Sequence, residues 1–199
     1  MQQLTPSNPP IIAVIGLGYV GLPLALAFSN QYQVIGYDLD SVRVDALKKG
    51  DDITLQSSVE QIQEAHNLVL TNELSAIANA TVYIVTVPTP VNADKTPDLS
   101  PLLYATAQIA GILKSGDIVI YESTVYPGCT EEDCVPVLEK ISGLQLNHDF
   151  YCGYSPERIN PGDKVNTLTK IKKITSGSTP EIAKYIDQLY ASVITAGTY

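Results

Sequence analysis

Positive charge is scarce in this chain: twelve lysines and arginines stand against twenty-one acids, a formal net charge of −9. Proteins that grip nucleic acid carry a basic face, so a nucleic-acid partner is not expected. A small anionic ligand is still possible, because backbone amides at a helix start and one or two local cations suffice to hold it. The two histidines, His66 and His148, sit in polar surroundings without zinc-ligand spacing, so no metal is expected. The three cysteines, Cys129, Cys134 and Cys152, include no CxxC pair and read as free thiols of a reducing compartment. No apolar run reaches membrane-spanning length, and the opening "MQQLTPSNPP" lacks a basic segment followed by an apolar one. Neither a signal peptide nor a membrane anchor is therefore expected, and the expected location is cytoplasmic.

What is present is ordinary globular composition, 45% hydrophobic and 17% charged over 199 residues. A chain of this length buries roughly 70% of its unfolded surface and folds without a disulfide or metal. Residues 1–10 are polar and proline-rich and read as a flexible leader before one domain over 11–199. Strands are predicted at 11–15, 33–38, 68–71, 81–87, 117–123 and 150–157, with a further one at 172–177. Helices are predicted at 20–29, 41–50, 59–66, 100–114, 131–142 and 179–190. Ser100 reads as a cap before Pro101, and Pro136 as a possible kink. Strand and helix alternate without repeats, which predicts an α/β fold: a doubly wound, mostly parallel sheet of the Rossmann type.

The stretch "AVIGLGYVGLPLALAFSNQYQVIGYDLD", residues 13–40, carries the first chemistry. Gly16 permits a tight turn out of the strand, Gly18 lets a pyrophosphate approach the backbone, and Gly21 lets the helix pack closely. Tyr19 and Val20 complete the turn, and the helix start behind it offers free N–H donors. Such a triplet can also be a plain strand-to-helix turn or an S-adenosylmethionine site. Context favours a dinucleotide, because Asp38 stands at the end of the second strand, 22 residues after Gly16. An acid there accepts from ribose hydroxyls and repels a 2′-phosphate, so NAD is preferred over NADP. Arg43, just beyond the acid, complicates this, since a basic residue is how some sites admit NADP.

Three further motifs, "VTVPTP", "YESTVYPGCTEE" and "YSPERINPGDK", follow in order after the glycine motif "VIGLGYVGLPLALAFS", making four in all. Together they resemble the UDP-glucose/GDP-mannose dehydrogenase family over nearly the whole chain from Ile11. The "SPERINPGD" form is most similar to the branch that oxidises UDP-N-acetylglucosamine or UDP-N-acetylgalactosamine to the uronate. The residue types agree with that placing, since ligands of open α/β sheets bind beyond the carboxyl ends of the strands. Thr86, Pro88 and Thr89 follow the fourth strand, and Ser123 and Thr124 the fifth, all as cofactor-binding candidates. Glu157 follows the sixth strand, where a partly desolvated carboxylate can act as a base or hold a water.

The resemblance implies catalytic roles for Glu157 and Thr124, and contacts to a UDP-sugar from Arg158, Ile159 and Asn160. It implies two hydride transfers to NAD⁺ through a cysteine thiohemiacetal and thioester, for surface-polysaccharide synthesis. Some family members carry a second acid four residues beyond the first, where this chain has Pro161. The family's nucleophilic cysteine motif and its catalytic lysine and asparagine, on a dimerisation helix, have no match here. The chain is accordingly expected to be the NAD-binding part of a homodimeric or larger enzyme, inactive alone. UDP-glucose or UDP-N-acetylmannosamine as substrate, and a non-catalytic NAD-binding module, stay open as alternatives.

Overall fold

The computed structural model describes residues 9–159 and 168–199. Its centre is one seven-stranded sheet of β1 (Ile11–Ile15), β2 (Gln33–Tyr37), β3 (Leu68–Thr71), β4 (Val82–Val85), β5 (Ile118–Tyr121), β6 (Tyr151–Tyr154) and β7 (Ser176–Gly177). The order is β3-β2-β1-β4-β5-β6-β7, all pairs parallel except the antiparallel β6–β7. The predicted doubly wound architecture is present. The chain moves outward from β1 to β3 and then returns to β4 on the other side of β1, so the switch point lies between β1 and β4.

Both faces of the sheet are buried, which is why its strands read as continuous apolar runs. Alternation along each strand sorts the residues between two cores. On one face Ile12 and Val14 of β1 join Ile118 and Ile120 of β5 under α1 (Gly21–Ser29). On the other face Ala13, Ile15, Val119 and Tyr121 pack under α4 (Ser100–Ala110) and α5 (Val135–Ser142). The first face is completed by α6 (Pro180–Ala191), through Ile182, Ile186 and Tyr190. Two short helices, α2 (Ser41–Lys48) and α3 (Val59–Gln63), fill the connection from β2 to β3.

Several ends differ from expectation. Ser100 is the first residue of α4, not its cap; the carboxylate of Asp98 accepts from its amide at 2.9 Å. That helix ends at Ala110, before the predicted Lys114. The predicted helix over 131–142 is two pieces, a π-helical turn at Thr130–Cys134 and then α5. Pro136 lies in the first turn of α5, where a missing N–H costs nothing, so it starts the helix and does not kink it. The strand predicted at 172–177 reduces to β7, with a bridge between Lys173 and Thr198. Thr179 does cap α6, accepting from the Ile182 amide at 3.3 Å. Residues 1–8 of the expected leader lie outside the described residues, and no helix among those described is long and apolar enough to cross a membrane.

Candidate functional site

The glycine turn sits at the carboxyl end of β1, against the ends of β2 and β4. Gly16 has φ +93°, a conformation that side chains rarely adopt, and its amide donates to Tyr37 O at 2.8 Å. A Cβ on Gly21 would lie 1.8 Å from Gly16 O and 2.4 Å from Thr86 Oγ1, so only glycine fits. A Cβ on Gly18 would meet nothing within 4 Å. One glycine thus makes the bend, one makes the close contact, and the middle one faces open space.

The peptide of Leu17 is gripped from both ends. Asp38 Oδ2 accepts its N–H at 2.7 Å, while Arg43 Nε and Nη2 donate to its carbonyl at 3.0 and 2.8 Å. Thr86 adds a third brace, its hydroxyl donating to Ile15 O at 3.0 Å and Gly16 O at 2.7 Å. Arg43 is the surprise. It is buried behind the turn and paired with Asp52 at 2.6 Å, not presented to a 2′-phosphate. Burial pushes the Asp52 carboxyl upward, but hydrogen bonds from Arg43 and Thr54 outweigh it and hold the group below its ordinary value. The charge of Arg43 is therefore met inside the protein, though its Nη1 is buried with no partner among the described residues.

The first helical amide to find a carbonyl is that of Leu22, which donates to Gly18 O at 3.1 Å. The amides before it are left to meet a ligand or water at the positive end of α1. Beside this end lies a cleft of about 490 Å³ whose walls include Gly16, Asp38, Pro88, Tyr104 and Gln108. Asp38 also accepts from the Asp40 amide at 3.0 Å. Each of its oxygens then keeps a second acceptor position that a ribose hydroxyl could use. A helix start with open amides, a glycine without neighbours and an acid at the next strand end fit a dinucleotide. Tyr104 and Gln108 were not legible as site residues, because their helical spacing on α4 reads as an ordinary amphipathic face.

The later candidates gather at the same edge of the sheet. Thr89 Oγ1 donates to Thr124 O at 2.6 Å, and Ser123 Oγ to Val87 O at 2.6 Å, stitching the loop after β4 to the loop after β5. Thr124 and Tyr19 are exposed, whereas Val20 and Ser123 are buried. The side chain of Ile159 belongs to the core under α6, and that of Arg158 is exposed. Asn160, the third residue of the expected sugar-contacting segment, lies outside the described residues, as does Pro161.

Glu157 is not a lone carboxylate. Its Oε1 accepts from the amides of Arg158 and Ile159, each at 2.6 Å, and its Oε2 accepts from Lys173 Nζ at 2.9 Å. Lys173 also donates to Glu122 at 2.7 Å, and Tyr190 donates to the other oxygen of Glu122. Lys173 is 2% exposed and Glu122 1%, so this is a buried cluster of two acids and one base. Burial pushes the Glu122 carboxyl above its ordinary range, against the pull of Lys173. Burial alone would lower Lys173, yet Glu122 and Glu157 hold it above its ordinary value, so the ammonium stays charged. One signal for this cluster was in the sequence: Glu122 ends the apolar run "DIVIY", and a buried acid there requires a partner.

The thiols are remote from such chemistry. Cys129 stands just before the π-helical turn, and burial, with Cys134 and Asp133 adding to it, pushes its thiol up to about 12. Burial likewise raises Cys134 and Cys152, and all three are free. Among the described residues no group of His, Cys, Asp and Glu is arranged to hold a metal.

The sequence model described as "UDP-glucose/GDP-mannose dehydrogenase family, NAD binding domain" matches residues 11–194. The chain is 57% identical over 188 residues to a UDP-N-acetyl-D-glucosamine 6-dehydrogenase of Pseudomonas aeruginosa, covering 94% of this chain and 44% of that protein. Its identity to the Salmonella typhi enzyme of the same name is 56%, with the same coverage. The chain therefore spans less than half the length of these relatives. Among solved structures it is similar to a UDP-D-ManNAc dehydrogenase from Pyrococcus horikoshii, at TM-score 0.85 and 32% identity over 95% of this chain and 46% of that one.

Proposed function

The chain belongs to the UDP-glucose/GDP-mannose dehydrogenase family, and from that premise we propose that it is the cofactor-binding part of a UDP-N-acetylhexosamine 6-dehydrogenase. The cofactor is NAD, and its chemistry when bound is to accept the hydride. The open helix end beside Gly18, with Asp38 closing the adjacent cleft, is the observation that carries the reading. In it, the amides from Gly18 onward hold the pyrophosphate and Asp38 accepts from the ribose. Thr86 and Arg43 act from behind, keeping the Leu17 peptide turned so that those amides face outward. Tyr19 and Val20 border the cofactor within the turn, and Pro88, Thr89, Ser123 and Thr124 further along the sheet edge. Glu157 holds a water or takes a proton at Oε2, Arg158 and the backbone of Ile159 are assigned to the sugar nucleotide, and the same role is proposed for Asn160, which lies outside the described residues. The substrate class is supported by the names of the relatives at 56% and 57% identity.

The same reading makes this chain inactive by itself. Oxidation of an alcohol to an acid in two steps requires a nucleophile to hold the intermediate, and a thiol serves only as its thiolate. Cys129, Cys134 and Cys152 are all buried and held protonated. The reading therefore assigns the nucleophile to none of these three cysteines, in a chain that spans 44% of the relatives it matches. The test is to incubate the chain with NAD⁺ and UDP-N-acetylglucosamine, or its galacto epimer, and follow NADH absorbance. The expected result is NAD binding without NADH, and turnover once the C-terminal half of a full-length relative is fused to it. Sustained NADH from the chain alone would overturn the assignment of the nucleophile elsewhere.

A further inference from the structure

We propose that Lys173 is the positioning residue for Glu157, its ammonium fixing the carboxylate oxygen that the amides of Arg158 and Ile159 do not hold; the inference rests on the role given to Glu157 above. A carboxylate has about four acceptor positions, two on each oxygen. Both positions of Oε1 are taken, by the amides of Arg158 and Ile159. Lys173 takes one position of Oε2. Among the described residues a single directed acceptor site is left, on an acid whose side chain is 8% exposed. Without the lysine the carboxylate could swing about its amide-bound oxygen, and both positions of Oε2 would be open. With it, one water or one hydroxyl is met from one direction.

The surroundings are built to hold the ammonium, not merely to neutralise it. Its backbone is anchored on both sides, since Lys173 N donates to Gly197 O at 3.1 Å and Tyr199 N to Lys173 O at 2.9 Å. Glu122 fixes the ammonium from the end of β5, and Tyr190 of α6 fixes Glu122 in turn. A buried ion pair is weak evidence for stability by itself, since apolar residues of similar volume commonly do as well. Here two carboxylates share one ammonium, an arrangement whose excess negative charge a purely structural contact would not need. The acid that faces the core keeps the hydroxyl of Tyr190; the acid at the sheet edge keeps the open acceptor.

Removing Lys173 alone would leave two facing carboxylates, so the informative variant is Lys173→Met with Glu122→Gln. In the 199-residue chain, amide exchange is expected to rise at Arg158 and Ile159, while the strand amides of Ile84 and Ile120 keep their protection. In the full-length enzyme carrying this domain, kcat is expected to fall on the order of 100-fold, as a displaced reacting group commonly costs. KM for NAD⁺ should move less than twofold, and Lys173→Arg should recover part of kcat. Unchanged exchange at Arg158 and Ile159, or a kcat within twofold of the parent, would overturn the proposal. Glu157→Gln is assayed beside these variants. If it keeps the parental kcat, the role of Glu157 itself fails, and the exchange measurement alone then judges whether Lys173 holds the carboxylate.

Discussion

At the scale of single residues, the glycine turn divides its labour in a way that separates stability from binding. Gly21 is in contact with Gly16 O and Thr86 Oγ1, and a methyl group there forces the turn open. Gly18 has no such neighbours in the protein. Gly21→Ala is therefore expected to destabilise the chain by about 3 kcal/mol or to prevent folding, as overpacking does. Gly18→Ala should stay within about 0.5 kcal/mol of the parent in thermal unfolding, as exposed substitutions do. Its NAD affinity should nonetheless fall, because in the proposed binding mode the added methyl occupies the face along which the pyrophosphate approaches. Calorimetry of NAD binding and denaturation of the two variants checks both halves. A Gly18→Ala chain that binds NAD like the parent would show that the cofactor does not pass over this turn.

At the scale of elements, what could be read from sequence was whatever burial on both faces imposes. β1 and β3 have the predicted limits, because their apolar runs are bounded by turn residues. Helix ends were less legible, since an end depends on which acceptor reaches it first: Asp98 displaces Ser100 at the start of α4. The clamp on Leu17 was not legible as such: Asp38 was read at the end of the second strand as a ribose acceptor and Arg43 as a base that could admit a 2′-phosphate, whereas in the fold both also hold the Leu17 backbone. Lys173 was not legible at all, because its partners arrive from β5 and from beyond β6. Asp117 shows the same dependence on packing. It lies at the start of β5 and accepts the Lys114 amide at 2.9 Å, closing the turn after α4. Burial raises its pKa to about 6, with the Lys114 amide and ammonium opposing. Its folded value exceeds the unfolded one of about 3.9, so it contributes stability that is complete below about pH 4 and lost as pH rises through about 6. Asp117→Asn, which keeps an acceptor for Lys114, should flatten the fall in Tm between pH 4 and pH 7 relative to the parent. Parallel Tm profiles for the two proteins would mean that Asp117 ionises in the fold as it does in the unfolded chain.

At the scale of the whole molecule, a protein of net charge −9 must hold an anionic cofactor. A site lined by lysines would solve this with counter-charge, and its affinity would fall as salt rises. The geometry offers another solution. The donors at the cleft are backbone amides of α1, and the nearest guanidinium, that of Arg43, is neutralised by Asp52. Short-range amide contacts lie well within a Debye length and are screened little, whereas the repulsion between the net negative protein and an approaching anion is long-ranged. At 0.01 M salt that repulsion reaches about 30 Å, and at 0.15 M about 8 Å. NAD binding is therefore expected to tighten, or its association to quicken, as ionic strength rises from 0.01 to 0.15 M. Bound NAD should also stabilise the fold, by about 2.7 kcal/mol at a hundred times its Kd. Titration calorimetry at the two salt concentrations measures the first effect and thermal unfolding the second. Affinity that falls with salt would show that side-chain cations hold the pyrophosphate, and would move the site away from the glycine turn.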